Sequence, residues 1–249
     1  MRYSLFLLVL VGLQMGNAHV FTGSSERGMP DNPLAPDAAY RIPGKDVSPK
    51  AVKAYPGKNT TPMDLPFHGE WFVFWGGETE SQNYHMADVN QQYAYDFLKV
   101  ADGASYKGDP LKNESYFAFG EAVLAPCDAV VEMAIDGVPD NVPGETNPIH
   151  LTGNTVVLKT GAGEYVLMCH LMEGSVRVKK GERVTRGQDL GKCGNSGNST
   201  EPHLHLQLQN TRDLHKATGA RLLFNRILVN GMPREGYMPV KEDFIKRIE

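Results

Sequence analysis

The stretch His203-Leu204-His205-Leu206-Gln207-Leu208-Gln209 alternates polar and apolar residues without a break. A period of two belongs to a strand with one buried face, and a helix does not satisfy it. Leu204, Leu206 and Leu208 are thereby expected in a core, with His203, His205 and Gln207 together on the opposite face. Two imidazoles at i and i+2 stand roughly 7 Å apart along a strand and open into the same space. That spacing suits one metal ligand beside one catalytic group, although surface or structural histidines are the ordinary reading of such a pair. The polar loop before it, Gly194 to Pro202, would deliver the strand into a cleft.

The rest of the chain agrees with β structure. Trp71 to Trp75 is an aromatic run stopped by Gly76-Gly77, expected as a buried strand with both tryptophans in the core. Tyr93 to Phe97 would put three aromatics on one face and Ala94 with Asp96 on the other. Further strands are expected at 122–125, 129–134, 154–160 and 165–171, separated by Gly-containing turns. Residues 136–153 hold three prolines and three glycines and read as a long loop of the kind that often carries function. From Asp213 onward a helix is expected over 214–228 and a short second one near 240–248. With 26 glycines and 16 prolines in 249 residues, turn-rich β structure is favoured over a helical bundle.

Arg2, the apolar run Leu5 to Leu13 and small residues through Ala18 have the layout of a secretory signal cut after Ala18. Nine apolar residues are too short for a membrane span, which needs roughly 20. The expected organisation is a signal over 1–18, an extended segment over 19–65, a β domain over 66–210 and a C-terminal extension over 211–249. Export to the periplasm or the extracellular space follows from the leader. A net charge of −4 gives no electrostatic reason to expect nucleic acid as a partner. Three cysteines are too few and too odd for a disulfide scaffold. Cys169 with Cys193 as a pair, leaving Cys127 free, and a buried thiol set are both compatible with the sequence.

Other titratable residues sit where metal ligands would. His170 lies in Tyr165 to Leu171, a run apolar on both faces, where a hydrogen-bonded core histidine is the ordinary reading. Cys169, its neighbour, would point to the other face. Asp96 shares its strand face only with Ala94, and a buried carboxylate needs a partner such as a metal. Two His and one Asp make a familiar zinc set, three protein ligands with the fourth position open. The histidines left over are the right type for acid–base work near pH 7.

The order of these pieces resembles the lysostaphin/LytM-type zinc endopeptidases. The likeness rests on Val178 to Val184, Gly187 to Gly191, Gly194 to Thr200 and His203-Leu204-His205, with His170-Leu171 and Tyr93 to Phe97 upstream. It covers about 83–210. It implies an antiparallel β fold with an open groove, one zinc per chain held by His85, Asp96 and His205, and catalysis by His170 and His203. It also implies hydrolysis of peptide bonds in peptidoglycan stem or cross-bridge peptides. In the family's commonest motif the aspartate follows its histidine by four residues; here His85 and Asp96 are eleven apart, which makes Asp88 the rival ligand, with His68 a weaker rival to His85. Glu201, in the loop before a proline, and Gln207, on the polar face, are expected as solvated residues. A non-catalytic relative that binds cell wall or activates another hydrolase is the competing reading, and such a protein would be expected to have lost ligands. A secreted carbohydrate-binding sandwich built on Trp71 and Trp75 is the third.

Overall fold

The computed structural model describes residues 57–248; the leader and most of the segment expected over 19–65 lie outside the described residues. The strands are β1 (Glu70–Trp75), β2 (Tyr95–Leu98), β3 (Ala122–Leu124), β4 (Ala129–Ile135), β5 (Asn154–Thr160), β6 (Tyr165–Leu171) and β7 (Arg183–Val184). They continue as β8 (Asp189–Lys192), β9 (Leu204–Gln209), β10 (Gly219–Ala220), β11 (Phe224–Val229), β12 (Met232–Tyr237) and β13 (Phe244–Arg247). One antiparallel sheet runs β12-β11-β13-β1-β2-β9-β6-β5-β4-β7, with β10 beside β9, while β3 and β8 pair separately. The long loop expected over 136–153 contains no strand.

β9 sits between β2 and β6, and its alternation decides what each face does. Leu204, Leu206 and Leu208 enter the main apolar core with Tyr95, Phe97, Val166 and Met168. Burying one such leucine contributes about 1.5–3 kcal/mol. Directly paired residues share a face. Asp96 pairs with His205 across β2–β9, and Cys169 pairs with His205 across β6–β9, so the three lie on the face away from that core.

Three expectations are corrected. Tyr93 is not in the strand: its φ is 70°, a turn precedes β2, and only Tyr95 and Phe97 stack in the core, at 5.1 Å. Trp71 is 1% exposed, but Trp75 is only half-buried. The β1–β2 register shifts between Val73 and Trp75, which sets Trp75 opposite Asp96 at the end of the strand instead of in the core. The partly helical tail is absent, because β11 and β12 form a hairpin about Asn230-Gly231, and β13 joins β11 to β1. Asn230 and Gly231 both have positive φ, at 50° and 78°, as a tight hairpin requires, and pairing to β1 overrides the helical propensity of the segment. Residues 219–247 thus extend the same sheet. The three cysteines are buried and unpaired.

A buried carboxylate holds the first described residues to the sheet. Glu164, 2% exposed, accepts hydrogen bonds from Thr60 N, Thr60 Oγ1 (2.9 Å), Thr61 N (3.2 Å) and Thr160 Oγ1 (3.1 Å). Burial alone would raise this carboxyl, but donors from Thr60, Thr61 and Thr160 hold it below its ordinary value. A carboxyl lowered by folding contributes stability above its unfolded pKa and loses it as pH falls through the folded one. Glu164→Gln is expected to cost about 1–3 kcal/mol at pH 7, with the difference from wild type shrinking below about pH 4. Melting curves across pH check this; a difference that stays constant down to pH 2 would contradict it.

Candidate metal centre and groove

His85 sits in a single 3-10 turn, Tyr84–Ala87, capped by Asn83. The Asn83 amide nitrogen donates to Gly77 O (3.2 Å) and Ala94 O (2.9 Å), which turns its oxygen toward His85. That oxygen accepts from His85 Nδ1 at 2.8 Å, so the proton is on Nδ1 and the lone pair on Nε2. His85 is 1% exposed, and its Nε2 has no hydrogen-bond partner among the described residues. It lies 3.5 Å from Asp96 Oδ2.

The same logic fixes His205. Gln207 Nε2 donates to Asn90 O (3.1 Å) and Gln209 Oε1 (2.6 Å), leaving Gln207 Oε1 to accept from His205 Nε2 at 2.9 Å. The other ring nitrogen of His205, Nδ1, then faces Asp96 Oδ1, 2.9 Å away. With a proton on Nδ1 this contact is a hydrogen bond; without one, both atoms can turn lone pairs to a cation. Ligand atoms of His85, Asp96 and His205 all lie within 4.8 Å of one another. Electron-pair donors without a proton donor among them are what a zinc ion requires. Gln207 is 2% exposed, not solvated, and acts as the positioning residue for His205. Gln207→Leu is expected to weaken zinc binding about 10–100-fold, with Gln207→Glu, which retains the acceptor, closer to wild type. Competition with a zinc-sensitive dye measures this, and equal affinities for the leucine variant and wild type would contradict it.

His170 reaches the site by a backbone irregularity. Between the pairs Asn154–Leu171 and Val156–Met168, β6 has one more residue than β5. His170 takes φ 61°, and its N–H and C=O bond to Thr152 O and Gly194 N, each at 3.0 Å. Regular alternation would put His170 with Met168 in the core. The bulge re-aims it to the site face, with its ring 4.8 Å from His203 and 5.8 Å from His205. It also leaves Cys169 on that same face, contrary to simple alternation, packed with Val157 and Leu167 and outside the donor set. A left-handed non-glycine residue is strained by about 1–2 kcal/mol. His170→Gly is therefore expected to melt about 2–4 °C above His170→Ala, though both lack the imidazole; identical melting temperatures would contradict the strain.

Around the two remaining imidazoles the loops interlock. His170 Nδ1 donates to Ser196 O (2.8 Å) and His203 Nδ1 donates to Glu201 O (2.8 Å), so both turn Nε2 away from these carbonyls. Ser199 Oγ lies 3.1 Å from His203 Nδ1 and bonds to Asn195 Oδ1 at 2.7 Å. Asn195 in turn donates from its side chain to Asn113 Oδ1 and Asn141 O, and from its backbone to Asp140 Oδ1. The 136–153 loop packs backbone to backbone on this segment: Gly197, at φ 80°, leaves no room for a Cβ against Gly153 and His150. Glu201 is half-buried and accepts from Ser105 Oγ at 2.9 Å, so it is a loop tie and not a solvated charge.

Charge follows from these contacts. Burial alone would raise Asp96, but His203 and His85 hold it well below the usual carboxylate range. His85 is pushed down to about 4 by burial, against the pull of Asp96. His170 is held well below its ordinary value by burial. His203, despite burial, is raised by Asp96, 3.5 Å from its Nε2. At neutral pH, Asp96 is thus a carboxylate and His85 and His170 are neutral.

Residues 115–217 match the model of Peptidase family M23. Over that stretch the chain is similar to M23 peptidases. The match includes His170, His203 and His205, whereas His85 and Asp96 precede it. A curated relative, the peptidoglycan DD-endopeptidase ShyA of Vibrio cholerae, is 40% identical over 73 residues, which is 24% of this chain and 17% of ShyA. The chain therefore spans about a sixth of that relative. Among solved structures, a zinc containing peptidase from Vibrio cholerae is 18% identical, with 59% of this chain and 36% of that one covered at a TM-score of 0.37. The catalytic domain of lysostaphin from Staphylococcus simulans is 20% identical, with 61% and 88% covered at 0.35. Neither overlap bears on chemistry.

All five expected site residues come together: His85, Asp96, His170, His203 and His205. The rivals do not join them. Asp88 and His68 are exposed, and neither belongs to the group of converging ligand atoms. Asn83 was not singled out in the sequence. Its only signal is an amide two residues before a histidine, a spacing too common to carry weight.

Proposed function

We propose that this protein is an exported zinc metalloendopeptidase that hydrolyses peptide bonds in peptidoglycan cross-links. One observation carries the reading: His85 Nε2, Asp96 and His205 Nδ1 converge as buried electron-pair donors, with two further imidazoles beside them. The M23 match supports a peptidase, and the activity named for ShyA supports peptidoglycan as the substrate class. The leader over 1–18 supports export. No helix among the described residues is long and apolar enough to cross a membrane.

His85, Asp96 and His205 would hold the metal, with a fourth position left for water or substrate. When bound, zinc supplies Lewis acidity, which makes water a nucleophile near neutral pH and polarises a carbonyl. His170, neutral and fixed with Nε2 free, takes a proton from the attacking water. His203, whose protonated form Asp96 favours, stabilises the developing oxyanion and passes a proton to the leaving amine. A complete donor set argues against the binding-only relative.

Digestion of defined cross-linked muropeptides, read by mass, tests the reading. Expected products are pairs separated by one hydrolysed peptide bond, lost with a chelator and restored by zinc. Full zinc occupancy with no cleavage of any murein or glycine-rich peptide would overturn it.

A further inference from the structure

The wall of the site on the His85 side lies outside the M23 match and is built from both ends of the described chain. Trp75 ends β1 and pairs with Asp96 across the register shift. Its ring meets the edge of Tyr84 at 5.2 Å, and the Tyr84 ring lies against that of His85 at 4.1 Å. Tyr84 is 54% exposed, although the imidazole behind it is 1% exposed. An aromatic side chain contributes most when buried, so an open one against a buried ligand leaves apolar surface for something else to cover.

The C-terminal strands bring a cation to the same wall. Lys241 N donates to Gly76 O (3.0 Å) and Glu242 N donates to Val73 O (2.8 Å), which ties the segment before β13 to the end of β1. The Lys241 ammonium stands 3.9 Å above the Trp75 ring. Among the described residues, none of the ion pairs includes Lys241. A cation held against a ring face, half-buried and with no counter-ion among the described residues, is placed to take an anion.

We propose that Tyr84, Trp75 and Lys241 form a substrate subsite beside His85, in which the rings carry the peptide chain and the Lys241 ammonium takes a free carboxylate on it. The ligand class, a carboxylate-bearing peptide, rests on the peptidase reading; the subsite itself rests on the wall. Tyr84 and Trp75 supply sequence-tolerant contact area, and Lys241 supplies the discrimination, since a carboxamide offers no charge to it.

Binding can be read apart from cleavage. The chain has two tryptophans; Trp71 is 1% exposed and Trp75 is half-buried, so emission changes that persist in Trp71→Phe report Trp75. The probe is a hydrolysis-resistant tripeptide with a free side-chain carboxylate, set against its carboxamide twin. The carboxylate form is expected to bind about tenfold tighter. Lys241→Met should bring that ratio near one, and Lys241→Arg should keep most of it. With cleavable versions of the two peptides, the preference should appear in KM and not in kcat. Wild type without the preference, or a preference that survives Lys241→Met, would overturn the subsite. Cleavage without the preference would defeat the subsite alone, and preferential binding without cleavage would defeat the peptidase reading alone.

Discussion

His205→Ala is expected to lose zinc and hydrolysis together while the protein stays folded. The ring is buried, but it lies on the face of β9 away from the leucine core, so its removal spares the packing of Leu204, Leu206 and Leu208. What it removes is the Nδ1 atom 2.9 Å from Asp96 and the donor partner of Gln207 Oε1 among the described residues. Activity should fall well beyond the 10–100-fold that loss of an outer partner costs. Zinc should go from one per chain to near zero. The clearest readout is thermal. A ligand at a thousandfold excess over its Kd stabilises by about 4 kcal/mol, a shift on the order of 10 °C for a domain of this size. That zinc-dependent rise should be present in wild type and absent in His205→Ala. A variant that still melts higher with zinc would place the metal elsewhere.

His203→Ala should separate chemistry from metal binding. Its ring is fixed by Glu201 O and Ser199 Oγ, and its Nε2 lies 3.5 Å from Asp96 without joining the converging ligand atoms. Loss of a positioned acid–base group costs about 10²–10⁴-fold. The expected result is a fall of that size in kcat with zinc stoichiometry unchanged. Loss of zinc in parallel with activity would make His203 a ligand and contradict the assignment. Asn195→Ala, which removes the support of Ser199, should follow the same pattern more weakly.

The alternation of β9 made its strand, its buried leucines and the shared space of His203 and His205 readable before any fold was known. The donor set came from the resemblance to the lysostaphin/LytM-type endopeptidases; Asp96 was marked besides by lying where an apolar residue would ordinarily pack, and the β2–β9 register does bring it to His205. Other parts were hidden for physical reasons. The bulge at His170 leaves no mark in the residues, since one extra position in a strand alters no period until pairing is known. Glu201 and Gln207 look solvated because both are polar; only tertiary contacts with Ser105 and Asn90 bury them. The C-terminal strands are hidden because the local helical propensity of 214–228 gives way to the Asn230-Gly231 turn that closes the hairpin. Trp75 left the core through a register shift that composition cannot show. That displacement is what puts an aromatic wall beside the metal centre.

Anomalous diffraction at the zinc edge, from crystals of the full chain grown with zinc, locates that ion directly. One peak is expected, about 2.0–2.2 Å from His85 Nε2, an Asp96 carboxylate oxygen and His205 Nδ1, with Gln207 still accepting from His205 Nε2. A peak on His205 Nε2 with Gln207 displaced, or one at Asp88 or His68, would contradict it.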